Sequence, residues 1–135
     1  MLLPHNAIVA VADGEKLSLF RNGGSESELK LEAVDSPKLH ATGPGSGGRH
    51  HSSSANPDNS RLAEDAYAAA VAGWLNQEVG GEQIQSLFVI AAPKTLGELR
   101  LHYSRALKLK LAGELSKDLS GHAATEITAA VMKAR

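Results

Sequence analysis

The 135-residue sequence contains no cysteine. Disulfides, thiolate nucleophiles and cysteine-based zinc sites are therefore excluded, and a reducing, cytoplasmic location is expected. A strong charge excess is also missing: 14 Lys and Arg against 15 Asp and Glu leave a formal net charge of −1. A general polyanion binder carries a basic surplus, so any contact with RNA has to use a local patch. No stretch approaches the ~20 apolar residues of a membrane span, and no membrane insertion is expected. The apolar run ending at Ala12 has no basic segment before it, unlike a secretory signal. Ser52, Ser53 and Ser54 stand in no Gly-x-Ser-x-Gly elbow, so a serine hydrolase has little support.

What is present suits a single globular domain over 1–135. Hydrophobic residues make up 42% and charged residues 21% of the chain. "NAIVAVAD" is short, apolar and β-branched, which suits a strand buried on both faces. Asp13-Gly14 is a hairpin signal. "KLSLFRNG" alternates, with Leu17, Leu19 and Arg21 on one face and Ser18 and Phe20 on the other. Asn22-Gly23-Gly24 is a second turn. "ELKLEAV" places Leu29, Leu31 and Ala33 on one face, and Ser36-Pro37 ends this third strand.

"RLAEDAYAAAVAGWLNQEV" carries Ala63, Tyr67, Ala70, Val71, Trp74 and Leu75 at helical spacing. Asn59 or Ser60 is the expected N-cap, Gly80-Gly81 the terminator and Trp74 a core residue. "SLFVIAA" reads as a central parallel strand. Thr95 and Glu98 form a capping box that starts the next helix. A strand is expected from Leu109 to Leu115, with a possible exposed edge at Leu107 to Leu111. A last helix turns Ala124, Ile127, Val131 and Ala134 inward. The order β-β-β-α-β-α-β-α defines an α/β domain, a mixed sheet with helices packed on it. Each strand after a helix is expected to run parallel to the first.

Between the third strand and the first helix lies a Gly/Ser/His-rich loop at about 36–60, including "GPGSGGRHHSSS". Connections in compact domains have a median of about 4–6 residues, and much longer loops are usually functional or disordered. Gly47, Gly48, Arg49, His50 and His51 suit a phosphate- or RNA-contacting loop aimed at the following helix N-terminus. The plainer alternative is a flexible connection. Lys94, Thr95 and Arg100 follow the carboxyl end of a parallel strand, where ligands of open α/β sheets bind. His40, His50 and His51 have only Asp58 as a nearby carboxylate, so no metal or other cofactor is expected. Asp13 has no partner carboxylates on later strands, which leaves a two-metal nuclease poorly supported.

"VADGEKLSLFR", "GGRHHSSSANPD", "EDAYAAAVAGWL", "LFVIAAPKTLGELR" and "ELSKDLSGHAATEI" together resemble the host attachment protein family, over nearly the whole chain. These are small bacterial proteins described as required for attachment to host cells. The family is similar in fold to the middle domain of archaeal and eukaryotic peptide-release factors and to Pelota-type rescue proteins. The resemblance thus implies a ribonuclease-H-like, release-factor middle-domain-like fold. In release factors the same loop carries Gly-Gly-Gln, which positions a water on the peptidyl-tRNA ester. Here Gly47-Gly48-Arg49 stands in that place. The glycines fit a close backbone approach to RNA. Arg49 lacks the amide carbonyl of Gln and is always charged, so it suits phosphate rather than water.

Three readings follow. The first is a non-enzymatic binding protein acting through RNA or a ribosomal partner, with attachment an indirect result. The second is a release-factor-like peptidyl-tRNA hydrolase or nuclease using the 42–57 loop. The third is an oligomeric interaction module.

Overall fold

The computed structural model describes residues 3–39 and 57–134. The elements are β1 (Ile8–Ala12), β2 (Leu17–Asn22), β3 (Leu31–Val34), α1 (Pro57–Gly80), β4 (Leu87–Ala91), α2 (Pro93–Arg100), α3 (Arg105–Lys110), β5 (Leu111–Ser116) and α4 (Ala124–Ala134). The five strands form one mixed sheet in the order β3-β2-β1-β4-β5. β1 pairs antiparallel with β2, and β2 with β3. β4 runs parallel to β1, and β5 parallel to β4, as expected for strands that follow helices.

β1 and β4 occupy the centre because they offer no polar side chain to either face. Ala10, Ala12, Leu87, Val89 and Ala91 face one core cluster, closed by α1, α2 and Leu107 of α3. Val9, Val11, Phe88 and Ile90 face the other, closed by α4 and by Leu3 and Ala7 ahead of β1. All nine strand residues are at most 2% exposed. Full burial of one Val, Leu, Ile or Phe is worth about 1.5–3 kcal/mol, and six of the nine are of this kind.

Several expectations shift. α1 begins at Pro57, inside the interval read as loop and two residues before Asn59, because proline at a first helical position is already set at a helical φ. The buried face of α1 is Tyr67, Ala68, Val71, Ala72, Leu75 and Val79, whereas Ala63 is exposed and Ala70 and Trp74 lie at the margin. Small Ala68 and Ala72 let the helix approach the sheet closely, and the bulky indole is left at the edge of the cluster. β3 is confined to Leu31–Val34, with Ala33 exposed. Ala134 is also exposed at the end of α4.

Two helices, not one, lie between β4 and β5. Ser104 Oγ accepts the Leu107 amide at 3.0 Å and caps α3, so Leu107 to Lys110 is helical and β5 starts at Leu111. Leu107 is buried while Leu109 is 80% exposed. The sheet edges are β3 and β5, so the expected edge at Leu107 to Leu111 is met only by Leu111, which opens β5.

α1 ends at Gly80, but the left-handed position falls on Glu82, with φ 64°. There the Gln83 amide returns to the Glu78 carbonyl at 2.8 Å. A side chain in that region costs about 1–2 kcal/mol, partly offset in glycine by greater unfolded-chain freedom. Glu82→Gly is expected to raise stability by about 0.5–1 kcal/mol in urea unfolding. Phe88→Ala is expected to cost about 3–5 kcal/mol, and Trp74→Ala clearly less. Equal costs for the two would contradict the packing of α1 described above.

Candidate functional site

The chain leaves β1 toward β2 and leaves β4 toward β5, that is, toward opposite edges of the sheet. The carboxyl ends of these two parallel strands therefore flank a topological switch point, where α/β sheets bind ligands. At the end of β1, Asp13 Oδ1 accepts the amides of Glu15 and Lys16 at 2.7 and 2.6 Å. The Asp13 amide donates to the Lys16 carbonyl at 2.9 Å. Asp13 is thus engaged in closing the β1–β2 hairpin. Among the described residues no group of three or more His, Cys, Asp or Glu side chains converges as a metal site.

The same edge receives the first helix. The Glu64 Cγ lies 2.7 Å from where a Cβ on Gly14 would stand, so α1 touches the hairpin there. Glu64 follows Pro57 by seven positions, which at 1.5 Å per residue carries the helix start about 10 Å past this contact. β3 also runs toward this edge, and Leu39 beyond it packs on the α1 face. The described chain on either side of the 40–56 segment therefore leads to one side of the molecule. Tyr67, one turn below Glu64, is buried; burial first and the Asp13 charge second raise its pKa.

β4 delivers α2 to this edge as well. Pro93 occupies the first helical position and Ala92 the N-cap, with no side-chain cap. Thr95 consequently sits inside the first turn and does not cap, contrary to the capping-box reading. Proline sets the helix start two residues earlier than Thr95. Lys94 is exposed at this uncapped N-terminus and forms no ion pair among the described residues.

Arg100 stands at the opposite end of α2 and is engaged. Its Nε and Nη2 donate to Glu114 Oε1 of β5 at 3.0 and 2.7 Å. The Tyr103 hydroxyl donates to Glu114 Oε2 at 3.1 Å. The Glu114 hydrogen bond, followed by its charge, raises the Arg100 pKa. Burial, then the Glu114 charge and hydrogen bond, push the Tyr103 phenol far above its ordinary value. A register shift between Leu87 and Phe88 makes this arrangement. Leu87 pairs with Leu111 but Phe88 with Gly113, so Ala112 is an extra residue and Glu114 turns toward the α2 face. From α1, Asn76 Nδ2 donates to the His102 carbonyl at 2.8 Å and its Oδ1 accepts the Ser104 amide at 2.9 Å. The sequence carried no signal for Asn76, Tyr103 or Glu114, because their roles arise from a bulge and an interhelical turn.

Because the folded pKa of Tyr103 is raised, its contribution to stability is complete below the unfolded value of about 10 and is lost as pH rises above it. Tyr103→Phe is expected to flatten the alkaline loss of stability, leaving the smaller part due to Tyr67. At neutral pH the same change should cost about 1–2 kcal/mol for the lost hydrogen bond. Chemical denaturation at stepped pH checks both, and an unchanged alkaline limb would contradict this assignment.

Of the residues proposed from sequence, Lys94 shares the carboxyl edge with α1 and the switch point, and Arg100 does not. Gly47, Gly48, Arg49, His50 and His51 lie outside the described residues. A family model described as bacterial archaeo-eukaryotic release factor family 12 matches residues 6–131. No curated protein matches the chain. The match spans all five strands and all but the end of α4, and the chain belongs to bacterial archaeo-eukaryotic release factor family 12.

Proposed function

We propose that this protein is a non-enzymatic binding protein that reaches RNA or a ribosome-associated partner with the carboxyl edge of its sheet. On this reading 1–135 forms a single cytoplasmic domain, ribonuclease-H-like in the manner of a release-factor middle domain. Gly47, Gly48, Arg49, His50 and His51 contact phosphate, and Lys94 adds a cation from the neighbouring helix N-terminus. Arg100 holds α2 to β5 through Glu114. The host-attachment role implied by the sequence resemblance is then an indirect consequence.

One observation carries the reading: the chain flanking the 40–56 segment, the β1–β4 switch point and the uncapped α2 N-terminus with Lys94 share one edge. The free amides and dipole of an uncapped helix N-terminus with Lys94 beside it favour an anion, and Arg49 is proposed to add a second cation there. With a net charge of −1, such a local concentration is the means the chain has of binding a polyanion.

Co-sedimentation with ribosomes across a salt series tests this. Arg49→Ala and Lys94→Ala should each weaken binding and reduce the slope of log affinity against log salt by about 1. Stability should stay within about 0.5 kcal/mol. Arg49→Gln should bind like Arg49→Ala and leave a peptidyl-tRNA ester intact. Ester hydrolysis by Arg49→Gln would favour the hydrolase reading, and unchanged binding in all three variants would overturn the proposal.

A further inference from the structure

Among the described residues Asn22 is the one buried polar side chain, 0% exposed at the end of β2. Its Nδ2 faces the carbonyls of Leu3, Pro4 and Ser25 at 3.0, 3.2 and 3.3 Å. Its Oδ1 accepts the amides of Gly24 and Lys30 at 2.9 and 3.1 Å. Its backbone joins the same knot: the Asn22 amide donates to Ala7, and the Asn6 amide donates to the Asn22 carbonyl, both at 2.8 Å. One side chain thus fastens the segment before β1 to the β2–β3 turn. That segment brings Leu3 and Ala7 into the second core cluster.

The next residue is Gly23. An Asn-Gly pair is the dipeptide most open to intramolecular deamidation, because glycine places no side chain in the way of ring closure. The Gly23 amide nitrogen loses its proton and bonds to the Asn22 side-chain carbonyl carbon, and the Nδ2 group leaves as ammonia. Water then opens the cyclic imide to aspartate or isoaspartate. In the closed fold each participant is held. The Gly23 amide donates to the Lys30 carbonyl at 2.8 Å, and both ends of the Asn22 amide are bonded as above.

We infer that Asn22 is a deamidation site gated by opening of the β2–β3 turn, and that its modification is a one-way release of the segment before β1. An aspartate offers no donor to the three carbonyls now served by Nδ2 and sets a negative charge among them, an unfavourable burial. An isoaspartate also lengthens the backbone where Asn22 pairs with Leu31. Either product prevents the knot from re-forming, so each opening carries a chance of permanent loosening.

The intact chain is incubated in mildly alkaline buffer, without denaturant and in graded urea. Conversion in the peptide holding Asn22 and Gly23 is followed by mass spectrometry. Deamidation should be at least ~100-fold slower in the native protein than in full urea, and should rise with urea before global unfolding, as for a locally opening unit. The modified fraction should melt at least ~5 °C lower than the unmodified one. Gly23→Ala should slow conversion at every urea concentration. Its Cβ would meet Glu32 Oε1 at 2.7 Å, the far end of an exposed side chain that can move aside. Equal rates in native and unfolded protein, or an unchanged melting temperature after modification, would overturn the inference.

Discussion

The parallel pairing of β1 with β4 is the constraint on which the other elements depend. Neither Val9–Ala12 nor Leu87–Ala91 has a polar side chain, so both faces of the pair must be covered. Three helices close one face, and α4 with the Leu3–Ala7 segment closes the other. The chain departs from the two strands toward opposite edges of the sheet, so among the described residues their carboxyl ends flank a gap. The start of α1, the start of α2 and the β1–β2 hairpin gather around that gap. An apolar requirement in the core thereby builds a polar edge.

Two polar knots hold what burial alone leaves loose. Asn22 fastens the segment before β1, and Glu114 fastens the edge strand β5 through Arg100 and Tyr103. The Arg100 guanidinium is largely exposed, so that ion pair contributes little by charge alone. Its value is geometric, because it keeps the bulged strand in register with α2. Asn22 differs in being fully buried: without it the carbonyls of Leu3 and Ser25 and the amides of Gly24 and Lys30 would lose this partner, and an unpaired buried group such as the Leu3 carbonyl costs about 1–3 kcal/mol.

Much of this architecture was legible in the residues. The apolar runs around Val9 and Val89, the Asp13-Gly14 turn and the switch from period two to helical spacing placed β1, β2, β4 and α1. What escaped reading depended on contacts distant in sequence. Tyr67, Val71 and Leu75 are buried as their spacing implies, but Ala68 and Ala72 complete the face of α1 in place of Ala63, Ala70 and Trp74, because close packing on a sheet prefers small alanines to a bulky indole. The start of α2 was set by Pro93, which competed with Thr95 and won. The alternation of Leu107, Leu109 and Leu111 looked like a strand, but Ser104 capped a helix there. The position of Lys94 beyond the carboxyl end of β4 was legible from the strand-end rule alone. The engagement of Arg100 was not, since it needs the Ala112 bulge to turn Glu114 toward it.

On the proposed function the carboxyl edge is the working surface. Single photo-crosslinking residues at Lys94, on that edge, and at Gln85, exposed before β4 on the opposite edge, test it most directly. After irradiation with ribosomes at low salt, crosslinks to RNA or ribosomal protein should form from position 94 and not from position 85. Crosslinks from position 85 alone, or equally from both, would contradict the account.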